Sequence, residues 1–387
     1  MASVIENKFN ALQSTSVGDS NEQLFFDAGD YYKTLLFDIK QAKTSIILET
    51  YIFKYDQLGR LFVTALLNAL RRGVNIRILV DGVGSFRDAA VIAQKLESEN
   101  CQFRIFHPLP WDFAGYRRAL NAGRWYSQVL HFIGAINHRD HRKLCIIDDH
   151  IAWLGSYNIT ADHFNNRLDI TEDNWHDTGL RVSGPIVTEL INNFEEVWQR
   201  KISPASQRTR NFLSNNSIHT RRRRNRRLLG IIKVAKKRIW VCNAYFNPSY
   251  KILSGLKKAA KKGIDVRVLV PSRSDVFWFP FLTRTYYADL LSAGIKVFEY
   301  CNRTLHSKTM QIDDEVIIGS TNLNYRSFFH DLELDALLVN PQSVRCMHDR
   351  FISDLKFSSE ITLKSGHKYH WLMRMFGWCS RFFRYWL

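Results

Sequence analysis

An α/β fold made of two similar halves is the architecture this sequence predicts, and three observations carry the prediction. The segment HRKLCIIDDHIAWLGSYN, from His141, returns as HSKTMQIDDEVIIGSTN, from His306, with the polar skeleton HxK, four residues, D, an apolar run and GSxN in both. The flanking segments repeat as well: NALRRGVNIRILVDGVGS lines up with KKAAKKGIDVRVLVPSRSD, and KLESENCQFRIF with LLSAGIKVFEY. Finally, runs such as VNIRILVD are rich in Val, Ile and Leu, as in strands covered by helices on both faces of a sheet.

Taken in order, residues 1–22 read as a polar lead-in without the basic flank and apolar core of a leader. A first half over 23–203 opens with an amphipathic helix carrying Tyr32, Leu35, Leu36 and Ile39, followed by a strand over about Ser45 to Phe53. Glu49 falls inside that strand, where a carboxylate needs either a site role or a buried ion pair. A helix, a glycine stop and the strand VNIRILVD come next. A basic linker is expected over 204–227, with six arginines in the seven positions 221–227, and a second half over 228–362 replays the first.

Within each motif, strand alternation sets His141 beside Lys143 and His306 beside Lys308 on one face. Asp148 and Asp313 come where the strand ends and the chain turns back. Gly155 and Gly319 let Ser156, Asn158, Ser320 and Asn322 fold toward the histidines. Each copy supplies one histidine, so the two halves are expected to share one site. Two imidazoles and two lysines suit displacement at a phosphodiester, with one histidine as nucleophile and the other as acid and base. The lysines and asparagines would neutralise and hydrogen-bond the phosphoryl oxygens, the serines would donate to phosphate or hold the turn, and the aspartates would orient the imidazoles or pair with the lysines. No cofactor or metal is required, because a lysine beside each carboxylate competes with a cation.

The 387 residues carry a net charge of +17, which favours an anionic partner: nucleic acid, an acidic membrane surface or a phosphate-bearing substrate. Six cysteines without a CxxC suggest a reducing compartment. No uncharged apolar run reaches the ~18 residues that span a bilayer, so a soluble or peripheral protein is expected. Residues 110–132 and 276–287 mix aromatics with arginine, a composition fit for a lipid interface and also for stacking nucleic-acid bases. The tail, 363–387, holds Trp371, Leu372, Met375, Phe376, Phe382, Phe383 and Trp386 at helical spacing among basic residues.

The paired HxKx4D segments, each followed by GSxN, resemble the phospholipase D superfamily. The stretches LETYIF, WHDTGLRVSGP, YFNP and HSKTMQIDD are similar to bacterial cardiolipin synthases without amino-terminal transmembrane helices. The resemblance implies a duplicated phospholipase D-like fold of two pseudo-symmetric α/β/α sandwich halves. It also implies a phosphatidyltransferase that works through a phosphohistidine and releases a small alcohol. His141 would be the nucleophile, His306 the acid and base, and Glu333 a further residue near the site, with no first-half glutamate at the matching distance. His176 and Asp177 belong to the similar stretches, with no firmer role than shaping or orienting the pocket. Expected partners are anionic phospholipids such as phosphatidylglycerol, on the cytoplasmic side of a bacterial membrane. Nucleic acid is disfavoured and oligomerisation is left open. A hydrolytic phospholipase, a nuclease-type phosphodiesterase and an idle binding scaffold are the competing readings.

The tail supplies apolar area and charge but no motif residue, and each Lys or Arg adds roughly 1 kcal/mol of attraction at an anionic surface. Truncation after Gly366 should therefore weaken cosedimentation with phosphatidylglycerol vesicles, more so at low salt, while turnover of a short-chain, detergent-dispersed substrate stays nearly intact. Equal vesicle binding by the full and truncated chains would refute an anchoring role.

Overall fold

The computed structural model describes residues 15–17, 20–109, 138–166, 169–173, 175–201, 211–362 and 379. The aromatic insertion over 110–132 and, Cys379 aside, the tail over 363–387 lie outside the described residues.

Two eight-stranded sheets organise the described chain. In the first half, Ser45–Thr50, Asn75–Asp81 and Gln102–Phe106 run parallel, linked by the helices Gln57–Arg71 and Ala89–Glu97. The second half repeats this with Arg238–Asn243, Asp265–Pro271 and Lys296–Tyr300. Each motif forms a hairpin, Leu144–Ile147 with Ile151–Gly155 and Lys308–Ile312 with Glu315–Gly319, which pairs antiparallel with the first of the three parallel strands. Asp148, Asp149 and Asp313 adopt the left-handed φ of 51–54° that closes these hairpins, a conformation aspartate tolerates better than most residues.

The outer face of each sheet carries its own helices and its own core. Tyr32, Leu35 and Ile39 of helix Ala28–Gln41 pack on the first sheet, and Ile252, Leu256 and Ala259 of Tyr250–Lys261 on the second. A third core is common to both halves. It joins Ile47, Ile146 and Leu154 of the first sheet to Val316, Ile318 and Leu334 of the second, around Leu190 and Phe194 of helix Val187–Gln199. The inner faces of the sheets are therefore turned toward one another, as expected for halves that share a site.

Two expectations need correction. Part of the lead-in is ordered: Ser20–Phe25 pairs antiparallel with Gly179–Ser183, and Ser343 Oγ donates to Glu22 Oε2 at 2.6 Å. Its polar sequence hid a strand that takes its register from the neighbouring strand and buries Phe25 against Trp153. The arginine run is not a linker but the opening of helix Ile218–Val234, capped reciprocally by Ser217 and Thr220. Arg224 continues a buried stripe with Leu228 and Ile232, and its guanidinium reaches Asp335 at 2.9 Å, while Arg222, Arg223 and Arg226 stay exposed. The i, i+4, i+8 spacing of the stripe is helical, and the surrounding positive charge concealed it.

Candidate active site

The two histidines enter the site on extended chain that is pinned to the opposite half. The His141 N–H donates to Leu332 O at 3.0 Å, and the His306 N–H donates to His176 O at 2.9 Å. These are equivalent positions: Asp140 bridges Leu332, and Leu305 pairs with His176, both in parallel sense. Each histidine is thereby delivered to a seam between the halves by backbone hydrogen bonds rather than by its own sheet.

At the seam the imidazoles are held crosswise. His141 Nδ1 lies 3.1 and 3.2 Å from the carboxylate oxygens of Glu333 in the second half, and His306 Nδ1 lies 2.7 Å from Asp177 Oδ1 in the first. Strand register shows the two carboxylates to be counterparts. Gly179 faces Gly155 as Asp335 faces Gly319, so Asp177 and Glu333 each stand two residues before the matched position. Each is held by a residue five positions after its asparagine. Ser327 Oγ donates to Glu333 at 2.5 Å, and His163 Nδ1 lies 3.1 Å from Asp177 Oδ2. The same Ser327 and His163 side chains accept the N–H of Asn322 at 3.2 Å and of Asn158 at 3.3 Å. Because His163 accepts through Nε2, its proton sits on Nδ1, facing Asp177.

With Nδ1 engaged in both rings, Nε2 is left for chemistry. His141, His306, Asn158 and Asn322 line one cavity of about 330 Å³, together with Tyr51 and Tyr245. Lys143 Nζ donates to His141 O at 2.5 Å, and Lys308 donates to His306 O. Burial pushes these ammonium groups down, to about 7 for Lys143 and about 8 for Lys308, against the pull of Glu333 on the first and of Asp177 on the second.

The imidazoles differ in their surroundings. Burial, then the charges of Lys143 and Lys308, takes His141 well below the usual imidazole range. Burial lowers His306 too, but Asp177 opposes it by charge and hydrogen bond. Asp177 itself, which burial alone would raise, is held well below the usual carboxylate range by His306 and His163. His141 is thus held in the neutral form more strongly than His306, which keeps a carboxylate partner for a ring proton.

Not every expected site residue comes together. Asp148 and Asp313 sit at the far ends of their strands from the histidines and orient no imidazole. Asp148 accepts from the N–H groups of Lys43, Thr44 and Ser45, and Asp313 from those of Lys236, Lys237 and Arg238. Four residues of strand separate them from the lysines of their motifs, so they can be neither partners of the rings nor of the ammonium groups. Ser156 Oγ accepts from Thr178 N–H at 3.0 Å and holds the turn, whereas Ser320 Oγ takes the Leu334 N–H and also donates to Glu333. Glu49 lies outside the cavity lining and pairs with fully buried Arg142, between His141 and Lys143, with Asp140 on the same guanidinium at 3.0 Å. It holds a site segment through a buried ion pair.

Asp177 and His163 are the functional residues that motif spacing missed. An insertion containing strands Phe164–Asn166 and Asp169–Asp173 separates Asn158 from Asp177, so counting from GSxN fails where sheet register succeeds. Among the described residues, no group of three or more His, Cys, Asp or Glu is arranged to hold a metal ion.

The geometry has parallels among known proteins. Residues 35–198 and 228–355 match the family described as cardiolipin synthase, PLD-like domain. The cardiolipin synthase of Clostridium perfringens strain SM101 is 29% identical over 94% of this chain and 76% of its own length. That of Alkalihalophilus pseudofirmus is 32% identical over 88% of this chain and 67% of its own. The crystal structure of phosphatidylserine synthase from Haemophilus influenzae Rd KW20 superposes with a TM-score of 0.69 at 12% identity, over 100% of this chain and 99% of that one, a likeness of fold.

Removing the two kinds of carboxylate should have separable effects. Asp148→Asn should lower the melting temperature, by the equivalent of about 1–3 kcal/mol for hydrogen bonds to a charged acceptor, with turnover falling only as far as folded protein is lost. Backbone N–H groups hold Asp148 below the usual aspartate range despite partial burial. Its stabilising effect is therefore complete above the unfolded value and lost as pH falls through the folded one. Glu333→Gln should instead cut turnover about tenfold or more in protein that melts cooperatively. Thermal melts beside turnover decide, and a folded Asp148→Asn protein without activity would return Asp148 to the site.

Proposed function

The chain belongs to the family of cardiolipin synthases with PLD-like domains and is a phosphatidyltransferase, and on that premise we propose that it moves a phosphatidyl group between phospholipids by way of a phosphohistidine on His141. The observation that supports this reading is the crossed pairing, which fixes both rings through Nδ1 and leaves each Nε2 at one cavity.

In the first step His141 Nε2 attacks phosphorus, the bond from phosphorus to the alcohol oxygen of the donor breaks, and His306 gives its Nε2 proton to the departing alkoxide. In the second step an acceptor hydroxyl returns a proton to His306 as its oxygen attacks, and the bond from phosphorus to nitrogen breaks to restore His141. With phosphatidylglycerol as donor and acceptor, the products are cardiolipin and glycerol. Lys143 and Lys308 balance the charge of the phosphodiester, and the carboxamides of Asn158 and Asn322 offer N–H donors to its oxygens.

The setting suits a lipid surface. Trp278 lines the cavity, and its neighbour Phe277 is 75% exposed. These rings and the exposed arginines of helix Ile218–Val234 fit peripheral attachment to an anionic membrane. Among the described residues no helix is long and apolar enough to cross one.

Replacing each histidine tests the division of labour. His141→Ala should abolish turnover and covalent labelling together. His306→Ala should slow turnover by about 10²–10⁴-fold and still allow labelled protein to build up from a donor with a good leaving group. Mass analysis of acid-labile phosphoryl adducts and of lipid products reads both, and a normal adduct yield in His141→Ala would remove the nucleophile assignment.

The buried lysines predict a pH response. They act only when protonated, and His306, which burial lowers, must also hold its proton in the first step, so kcat/KM, which reports the free enzyme, should begin to fall as pH passes the lowered His306 value and fall further through about 7 and about 8. On the acid side His141 must be neutral, and since its pKa is depressed, activity should persist below the ordinary imidazole range. The profile is to be measured on a dispersed short-chain substrate. A rate still climbing at pH 9 would contradict the requirement for charged lysines.

A further inference from the structure

One carboxyl group at the cavity makes no hydrogen bond to the motif histidines or lysines, although its charge favours the protonated forms of His306 and Lys308. Asp275 lines the wall that also holds Tyr245, His306, Val276 and Trp278, and it is exposed rather than buried. Its carboxylate is held in place: the Tyr245 hydroxyl lies 2.6 Å from Oδ2 and 2.7 Å from Oδ1, and Ser274 Oγ donates to Oδ1 at 3.0 Å. The Tyr245 ring stands edge-on to the His306 imidazole with centroids 6.2 Å apart, and Lys308 Nζ lies 5.9 Å from the centre of the same ring. Asp275 thus belongs to the end of the cavity served by His306. The other end is different in charge, with Arg326 paired to Asp331 at 3.1 Å near Tyr51 and His141.

A carboxylate next to a phosphodiester costs energy by repulsion, so Asp275 is no phosphate ligand. It can accept hydrogen bonds from hydroxyl groups, and a charged acceptor makes the stronger kind. Only two groups visit the His306 end during the proposed reaction: the alcohol that departs and the alcohol that enters. Tyr245 uses its proton on Asp275, and the phenolic oxygen can then accept in turn, so the pair offers two acceptors side by side to neighbouring hydroxyls.

We propose that Asp275, oriented by Tyr245, forms a subsite for the free hydroxyls of the leaving and entering alcohols, and that it selects an uncharged polyol of the glycerol type over a monohydric alcohol. This rests on the phosphatidyltransfer reading above and assigns the headgroup preference of that same site.

An internal competition tests it. The full chain is given phosphatidylglycerol in mixed micelles with deuterium-labelled glycerol and n-propanol at equal concentration, and the ratio of labelled phosphatidylglycerol to phosphatidylpropanol is read by mass spectrometry. The ratio does not depend on how much protein is folded. The unsubstituted protein should favour glycerol, and Asp275→Asn should lower the ratio about tenfold, the size expected for a hydrogen bond to a charged group. Tyr245→Phe should move it in the same direction by less. An unchanged ratio in Asp275→Asn overturns the subsite, and if that variant forms no product, an unchanged ratio in Tyr245→Phe does so instead. A parallel competition with ethanolamine that ethanolamine wins would show a cation site rather than a polyol site, and overturn the assignment. Absence of both products from the unsubstituted protein would remove the phosphatidyltransfer reading itself, whereas normal product formation with an unmoved ratio removes only the subsite.

Discussion

The crossed pairing of His141 with Glu333 and of His306 with Asp177 is the constraint on which the rest of the structure depends. An imidazole that must present Nε2 to a substrate needs its other nitrogen held, and here the holder always comes from the opposite half. Neither half then contains a working histidine by itself. The shared core of Ile47, Ile146 and Leu154 with Val316, Ile318 and Leu334 follows as a requirement, since sub-ångström placement of the rings demands that the two sheets not slide. The backbone bridges at Leu332 and His176 extend the same requirement to the main chain.

The two sides of the site meet this constraint with different chemistry. Behind His141, the backbone is braced by Arg142, buried with Glu49 and Asp140 and reaching Asn193 of helix Val187–Gln199 at 3.1 Å. Breaking such a buried ion pair by removing one partner typically costs about 3–5 kcal/mol, so this segment is held stiffly. Behind His306 the corresponding residue is Ser307, whose hydroxyl meets that of Thr178 at 2.5 Å. A neutral contact there leaves Asp177 as the dominant charge on His306 from behind.

Much of this was legible in the chain. The hairpins and the convergence of His141, Lys143, His306 and Lys308 could be read because alternation, tight turns and repetition are local signals. The placement of Asp148 and Asp313 was not, because an aspartate that caps backbone N–H groups and one that orients an imidazole look alike in a motif. Glu333 is reached through family resemblance, while the sequence assigns Asp177 no firmer role than shaping or orienting the pocket, because its equivalence to Glu333 is written in strand register across an insertion. In the arginine helix the exposed charge of Arg222, Arg223 and Arg226 masks the buried stripe through Arg224, Leu228 and Ile232, which is why the run reads as a linker.

Sheet register makes Asp177 and Glu333 counterparts, yet they differ by one methylene and by their supports, an imidazole in one case and two serine hydroxyls in the other. A half-length chain that paired with a copy of itself would be obliged to set the same carboxylate, equally supported, behind both rings. Joining the halves covalently lifts that obligation. Each position can then be altered on one side alone, so the two imidazoles can drift apart in basicity while the scaffold stays nearly two-fold. Division of labour between otherwise equivalent groups is, on this view, what a single continuous chain makes available to a symmetric site.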